Sequence, residues 1–160
     1  YRPTPREEQL KTHQTTQEQM RNLTWQALAA GANGLLYYSF FDLQKMAWKT
    51  PFEETFGNVC TVAGEVKRFE DVFLYCDSSE AVATSSENLA ARMWRYRGDI
   101  YLAIVNLHAG NVSGSVVSSD GFAHRENLLG IVPASVSGGR VAVEMGPFDV
   151  CFIRLSPKKR

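Results

Sequence analysis

The sequence predicts an α/β part followed by an all-β part, on three observations. An apolar run without alternation, Leu35 to Phe41, lies between two helical patterns. The texture of the chain changes after Cys76, and short strands punctuated by turn residues then fill the remainder.

The first helical pattern follows a polar, Pro-rich opening. Thr15 and Glu18 stand at capping-box spacing, which satisfies the first orphan amides of a helix. Met20, Leu23, Thr24, Ala27, Leu28 and Gly31 recur at helical spacing, so one stripe faces a core. Gly31 ends the helix because glycine tolerates the left-handed backbone of a C-terminus, and "AGANG" is a short connection. Leu35 to Phe41 is too short for an ordinary helix and rich in aromatics that suit a pleated surface. It reads as a strand, and its continuous apolar character points to a parallel one covered on both faces. A polar loop carrying Asp42, Gln44 and Lys45 leads to a second helical pattern at Val59, Val62, Ala63, Val66, Phe69, Val72 and Phe73.

Beyond the polar junction "DSSEAVATSSEN", "LAARMWRYR" and "DIYLAIVNL" flank Gly98 as a hairpin. "VSGSVVSS", "GRVAVEMG" and "DVCFIRL" follow, each bounded by turn residues, and "RVAVEM" alternates by twos. This spacing predicts a small antiparallel β-sandwich over residues 78–160, after an α/β segment over 1–77.

A strand buried on both faces requires strand neighbours, since unpaired buried backbone groups cost about 1–3 kcal/mol each. The chain before Thr15 offers no strand candidate, and the later strands are committed to their own two layers. Residues 1–77 therefore read as the closing αβα segment of a (β/α)8 barrel, a fold of ~250 residues. The remainder of that barrel is expected upstream in the same polypeptide or in another chain.

Composition narrows the function classes. The 160 residues are 44% hydrophobic and 21% charged, a globular mixture. Lys plus Arg and Asp plus Glu are 17 each, so no summed field draws the chain to nucleic acid or an anionic surface. No apolar run reaches the ~18 residues of a membrane span. The opening "YRPTPREEQLK" reads as the interior of a longer protein. Cys60, Cys76 and Cys151 form no CxxC pair and have no His at ligand spacing, so no metal or other cofactor is expected. On one helix Cys60 and Cys76 would be ~24 Å apart, beyond disulfide reach, which leaves a Cys76 to Cys151 bridge open. The triplets "NLT" at Asn22 and "NVS" at Asn111 are glycosylation acceptors if the chain is extracellular or passes through the secretory pathway, the expected location.

"RPTPREEQ" followed by "TTQEQMRNLTWQALAAGANGLLYYSFFDL" is similar to the closing segment of barrel-type glycoside hydrolases. "ARMWRYRGDIYLAIVNL" and "GGRVAVEMGPFDVCFIRL" resemble the β-sandwich appended to many of them. The resemblance implies O-glycosidic bond hydrolysis of a carbohydrate substrate by two carboxylates on the fourth and seventh barrel strands. Such a pair is ~5–5.5 Å apart for retention or ~6.5–9.5 Å for inversion. Neither strand is in this sequence, so no residue here is assigned a catalytic role. What the chain contributes under this resemblance is the mouth of the eighth strand, where Tyr38, Ser39, Phe40, Asp42 and Trp48 are the candidate sugar-binding residues. Their aromatic rings would stack on sugar faces while Asp42 accepts hydroxyl hydrogen bonds. The competing assignment makes the aromatics core and Asp42 a cap.

Other constellations are weaker. Glu53 and Glu54 are neighbours that point apart and read as solvated, and His13, His108 and His124 accompany no nucleophile motif. Two rival functions remain. One is a carbohydrate-binding module using Trp94, Tyr96 and Tyr101, with Trp94 otherwise anchoring sandwich to barrel. The other is a catalytically inactive glycosidase-like component of a larger assembly.

Overall fold

The computed structural model describes residues 14–38, 40–45, 50–118 and 121–157, with the backbone alone at 42 and 45. Among the described residues four helices precede eight strands: α1 (Gln17–Ala29), α2 (Phe40–Lys45), α3 (Phe52–Lys67) and α4 (Glu70–Tyr75), then β1 (Ser78–Ala81), β2 (Leu89–Tyr96), β3 (Asp99–Asn106), β4 (Val112–Val117), β5 (Phe122–Gly130), β6 (Ser135–Ser137), β7 (Arg140–Met145) and β8 (Val150–Pro157). Every ladder is antiparallel. One sheet has five strands in the order β1-β2-β3-β8-β5, and the other has three in the order β4-β7-β6.

The sandwich core lies between these sheets. Met93, Ile100, Leu102, Ile104, Ile153 and Leu155 from the larger meet Val116, Val141, Val143 and Met145 from the smaller. Strand β7 alternates as "RVAVEM" predicts, with Val141, Val143 and Met145 inward and Arg140 and Glu144 exposed. Tyr96 and Asp99 face each other across Arg97 and Gly98, both at positive φ, the two-residue hairpin expected at Gly98.

The larger sheet has a second buried face. Trp94, Ala103, Val105, Val150 and Phe152 pack against Trp25, Leu28 and Ala29 of α1 and Val72 and Phe73 of α4. Strands β3 and β8 are thus apolar on both sides although antiparallel, because helices cover the outer face. A continuous apolar run therefore identifies two-sided burial and not strand direction.

Helix α1 begins one residue later than the expected cap. Thr16 accepts from Gln19 N and Gln19 Oε1 accepts from Thr16 N, a complete capping box. "TTQEQ" satisfies the motif in two registers, and the second is used. At the other end Gly31 N donates to Leu28 O and Ala32 N to Ala27 O, a Schellman arrangement with Gly31 at φ 102°. Arg92 Nε from β2 donates to Ala29 O at 2.9 Å, placing a cation at the helix C-terminus. A Cβ on Gly31 would stand 2.9 Å from that guanidinium, whose flexible end would have to shift, while the positive φ is what favours glycine here.

The expected stripe of α1 needs revision. Its fully buried residues are Asn22, Thr24, Trp25, Leu28 and Ala29, whereas Leu23 is 58% exposed. The helix has two apolar sectors: Trp25, Leu28 and Ala29 meet the sandwich, and Met20 and Leu23 line a cavity on the other side.

The expected strand Leu35–Phe41 is also revised. Residues 35–38 belong to no helix and join no ladder among the described residues, and Phe40–Lys45 is helical. A lone strand has no partner for its amides and carbonyls, whereas a helical turn pairs them locally. The second helical pattern is divided between α3 and α4, which meet at Arg68 and Phe69. Cys60, Cys76 and Cys151 are free thiols, so the Cys76 to Cys151 bridge is absent.

Candidate functional site

The expected sugar-binding residues fall on and beyond the segment 35–38, which lies in neither helix nor ladder among the described residues. Its side chains alternate as on a pleated strand: Leu36 and Tyr38 are 90% and 89% exposed, while Tyr37 between them turns toward the helices. Tyr37 Oη and Thr24 Oγ1 are 2.9 Å apart, a hydrogen bond that fixes the segment to α1.

A cavity of about 400 Å³ opens between α1, this segment and α3. Met20, Leu23, Leu36, Tyr38, Phe40 and Phe56 form its apolar wall. Phe40 sits edge-on to Phe41, Phe52 and Phe56 at centroid distances of 6.0, 5.4 and 5.4 Å, and Phe52 stacks on Phe56. At the rim, Gln14 Nε2 donates to Thr55 Oγ1 at 2.7 Å, Thr50 N donates to Gln14 Oε1, and Thr55 Oγ1 donates to Pro51 O. Arg21 binds Glu65 through two contacts of 2.8 and 2.5 Å, joining α1 to α3 beside the cavity and raising the Arg21 pKa.

Of the predicted site residues, Tyr38 and Phe40 come together on this wall. Asp42 has its backbone in α2, while Ser39 and Trp48 lie outside the described residues. The described residues that line the cavity are uncharged, and they supply aromatic and hydroxyl contacts. Glu53 and Glu54 occupy the exposed first turn of α3, where the helix dipole favours carboxylates. Among the described residues no cluster of His, Cys, Asp and Glu could hold a metal ion.

The two sequons differ. Asn111 is exposed, but Asn22 is 2% exposed, with Nδ2 donating to Asn106 O at 2.8 Å and Oδ1 accepting from Gln26 Nε2. That packing leaves no room for a glycan on Asn22, which corrects the reading of its triplet. Trp94, 4% exposed, forms edge contacts with Phe73 and Phe152, in the anchoring role and not in an exposed aromatic row. Tyr96 and Tyr101 are half-buried on the same helix-facing side of the sheet. Reading the sequence missed Gln14, Thr50 and Thr55. Their signal was weak, because isolated polar residues near a helix start ordinarily serve as caps.

No family model and no curated protein matches the sequence. Among solved structures, the fold is similar to a maltogenic α-amylase, AmyB from Thermotoga neapolitana, at 18% identity and a TM-score of 0.50, covering 66% of this chain and 26% of that one. An isomaltulose synthase variant from Erwinia rhapontici matches at 12% identity and 0.48 over 64% of this chain and 18% of that one. A trehalose-6-phosphate hydrolase from Bacillus licheniformis matches at 16% and 0.47 over the same two shares. The chain thus spans about a quarter of the amylase's length. The glycoside-hydrolase resemblance read from the sequence is matched, at the level of fold, by part of an amylase structure.

Proposed function

We propose that the chain is part of a glycoside hydrolase acting on O-glycosidic bonds of a carbohydrate, with the catalytic carboxylates outside residues 1–160. In this reading residues 1–77 are the closing αβα segment of a (β/α)8 barrel, and 78–160 brace it. Leu35–Tyr38 is the eighth strand, and Tyr38, Ser39, Phe40, Asp42 and Trp48 stand at the sugar pocket's mouth.

The observation that carries the reading is the state of residues 35–38: outside any helix, without a ladder among the described residues, and with Leu36 and Tyr38 almost fully exposed on either side of a half-buried Tyr37. A barrel strand presents one set of side chains to its helices and the other to the barrel interior. The fold likeness to an amylase supports the same assignment. The binding-module alternative loses support, since Trp94 is buried under helices.

Hydrogen exchange and a glycosidase assay test this together. The chain alone should exchange the amides of residues 35–38 as fast as an unstructured peptide and hydrolyse no nitrophenyl glycoside. Joined to a complementary barrel portion, it should protect those amides and support hydrolysis. Protection in the chain alone, or no protection in the joined protein, would overturn the proposal.

A further inference from the structure

Another cavity, of about 260 Å³, lies where α1 meets the sandwich and shares Thr15 and Leu23 with the first. Phe148 and Leu107 supply apolar walls, and Gln19, Asn22 and Gln26 of α1 supply amides, with Thr15 at the edge. Among the described residues, none that lines it carries a charge. The volume is below the roughly 300–1,000 Å³ of drug-sized sites, a space for one small ring.

Phe148 is held in an unusual backbone state. Gly146 to Asp149 form a turn in which Asp149 N donates to Gly146 O at 3.3 Å and Asp149 Oδ2 accepts from Gly146 N at 2.6 Å. Pro147 takes the second position and Phe148 the third, where its φ of 59° ordinarily requires glycine. For a bulky side chain this is an outlier, and such strain persists only where surrounding contacts over-determine it.

Those contacts are identifiable. Asn106, fully buried, donates from Nδ2 to Gly146 O at 2.7 Å and to Gly110 O at 2.8 Å, which pins the turn. The carbonyl of the same residue accepts from Asn22 Nδ2, and Asn22 Oδ1 accepts from Gln26 Nε2 at 2.5 Å. One buried asparagine therefore fixes both walls. It also leaves Gln26 Oε1 as an oriented acceptor with no partner among the described residues.

We infer that this cavity is a binding subsite for a neutral sugar ring, with the Phe148 ring against an apolar sugar face and the Gln26 amide on its hydroxyls. A pocket with one aromatic ring and the neutral Gln26 amide has complementary contacts for a polyhydroxylated ring and, among the described residues, no countercharge for an ion. The site uses groups of α1 and the sandwich and none of residues 35–38, so a failed binding test leaves the hydrogen-exchange test of the barrel proposal untouched.

Saturation-transfer NMR on the full chain, with glucose and with maltose, tests it. Transfer should occur to at least one sugar, and Phe148→Gly should weaken that binding at least tenfold while melting at or above the wild-type temperature. Gln26→Leu, which keeps the turn intact, should weaken binding several-fold. Absence of transfer to both sugars, undiminished binding in both variants, or a Phe148→Gly protein that melts lower or fails to fold would overturn the assignment. The last result would make the ring a packing element.

Discussion

Cys151 shows how a single position acquires a property that its residue type does not have. Fully buried in β8, its thiol is pushed up from an ordinary value of 9.0 to about 12 by desolvation. Below pH 9 the thiol is protonated in both folded and unfolded chains and contributes no pH dependence. Between about 9 and 12 the unfolded chain loses the proton that the folded chain keeps, so stability falls by at most ~1.4 kcal/mol per pH unit. Urea denaturation across that range should show a slope that Cys151→Ala reduces. Exposed Cys60 should meanwhile react with a thiol reagent in the native protein. The burial of Cys151 is foreshadowed by its apolar neighbours, whereas that of Asn22 is not. A polar residue on a helix reads as solvated unless one knows that a distant carbonyl, Asn106 O, awaits it.

At the scale of elements, α1 joins the two halves of the molecule. Arg21 ties it to α3, Asn22 to the end of β3 and Ala29 to β2. Between these ties Trp25 packs on Phe152 at 4.6 Å and on Phe73 at 6.1 Å. Trp94 closes the cluster from the sheet side, and Trp94→Ala should cost about 3–5 kcal/mol in urea unfolding. A loss below 1 kcal/mol would refute the anchoring role. The existence of α1 was legible from its cap motif and periodicity. Which sector would meet the sandwich was not, because both sectors are apolar and only the position of the sheet distinguishes them. The same limit explains the segment 35–41. Its apolar character was plain in the sequence, but its conformation depends on strand neighbours, and without them Phe40–Lys45 closes its own hydrogen bonds as a helix.

For the whole molecule, the consequence is an uneven surface. Leu36, Tyr38 and Leu23, which line one cavity, are 90%, 89% and 58% exposed, and Phe41, against the Phe40 ring, is 64% exposed. A surface of this kind marks an interaction site or an aggregation liability. Sedimentation of the wild-type chain should therefore reveal concentration-dependent association. Leu36→Lys combined with Tyr38→Lys should reduce it and leave the melting temperature within 2 °C on the order expected for exposed positions. Unchanged association would show that other residues form the contact.

By itself the sequence determined the change from helical to β-rich chain, the Arg97–Gly98 hairpin and the inward face of β7, because each follows from local periodicity or turn chemistry. Tertiary structure alone decided which elements cover the outer face of β3 and β8, the partner of each sector of α1 and the fate of Leu35–Phe41. Those outcomes rest on contacts between residues distant in the chain, and burial of an apolar side chain is favourable whichever surface supplies the cover.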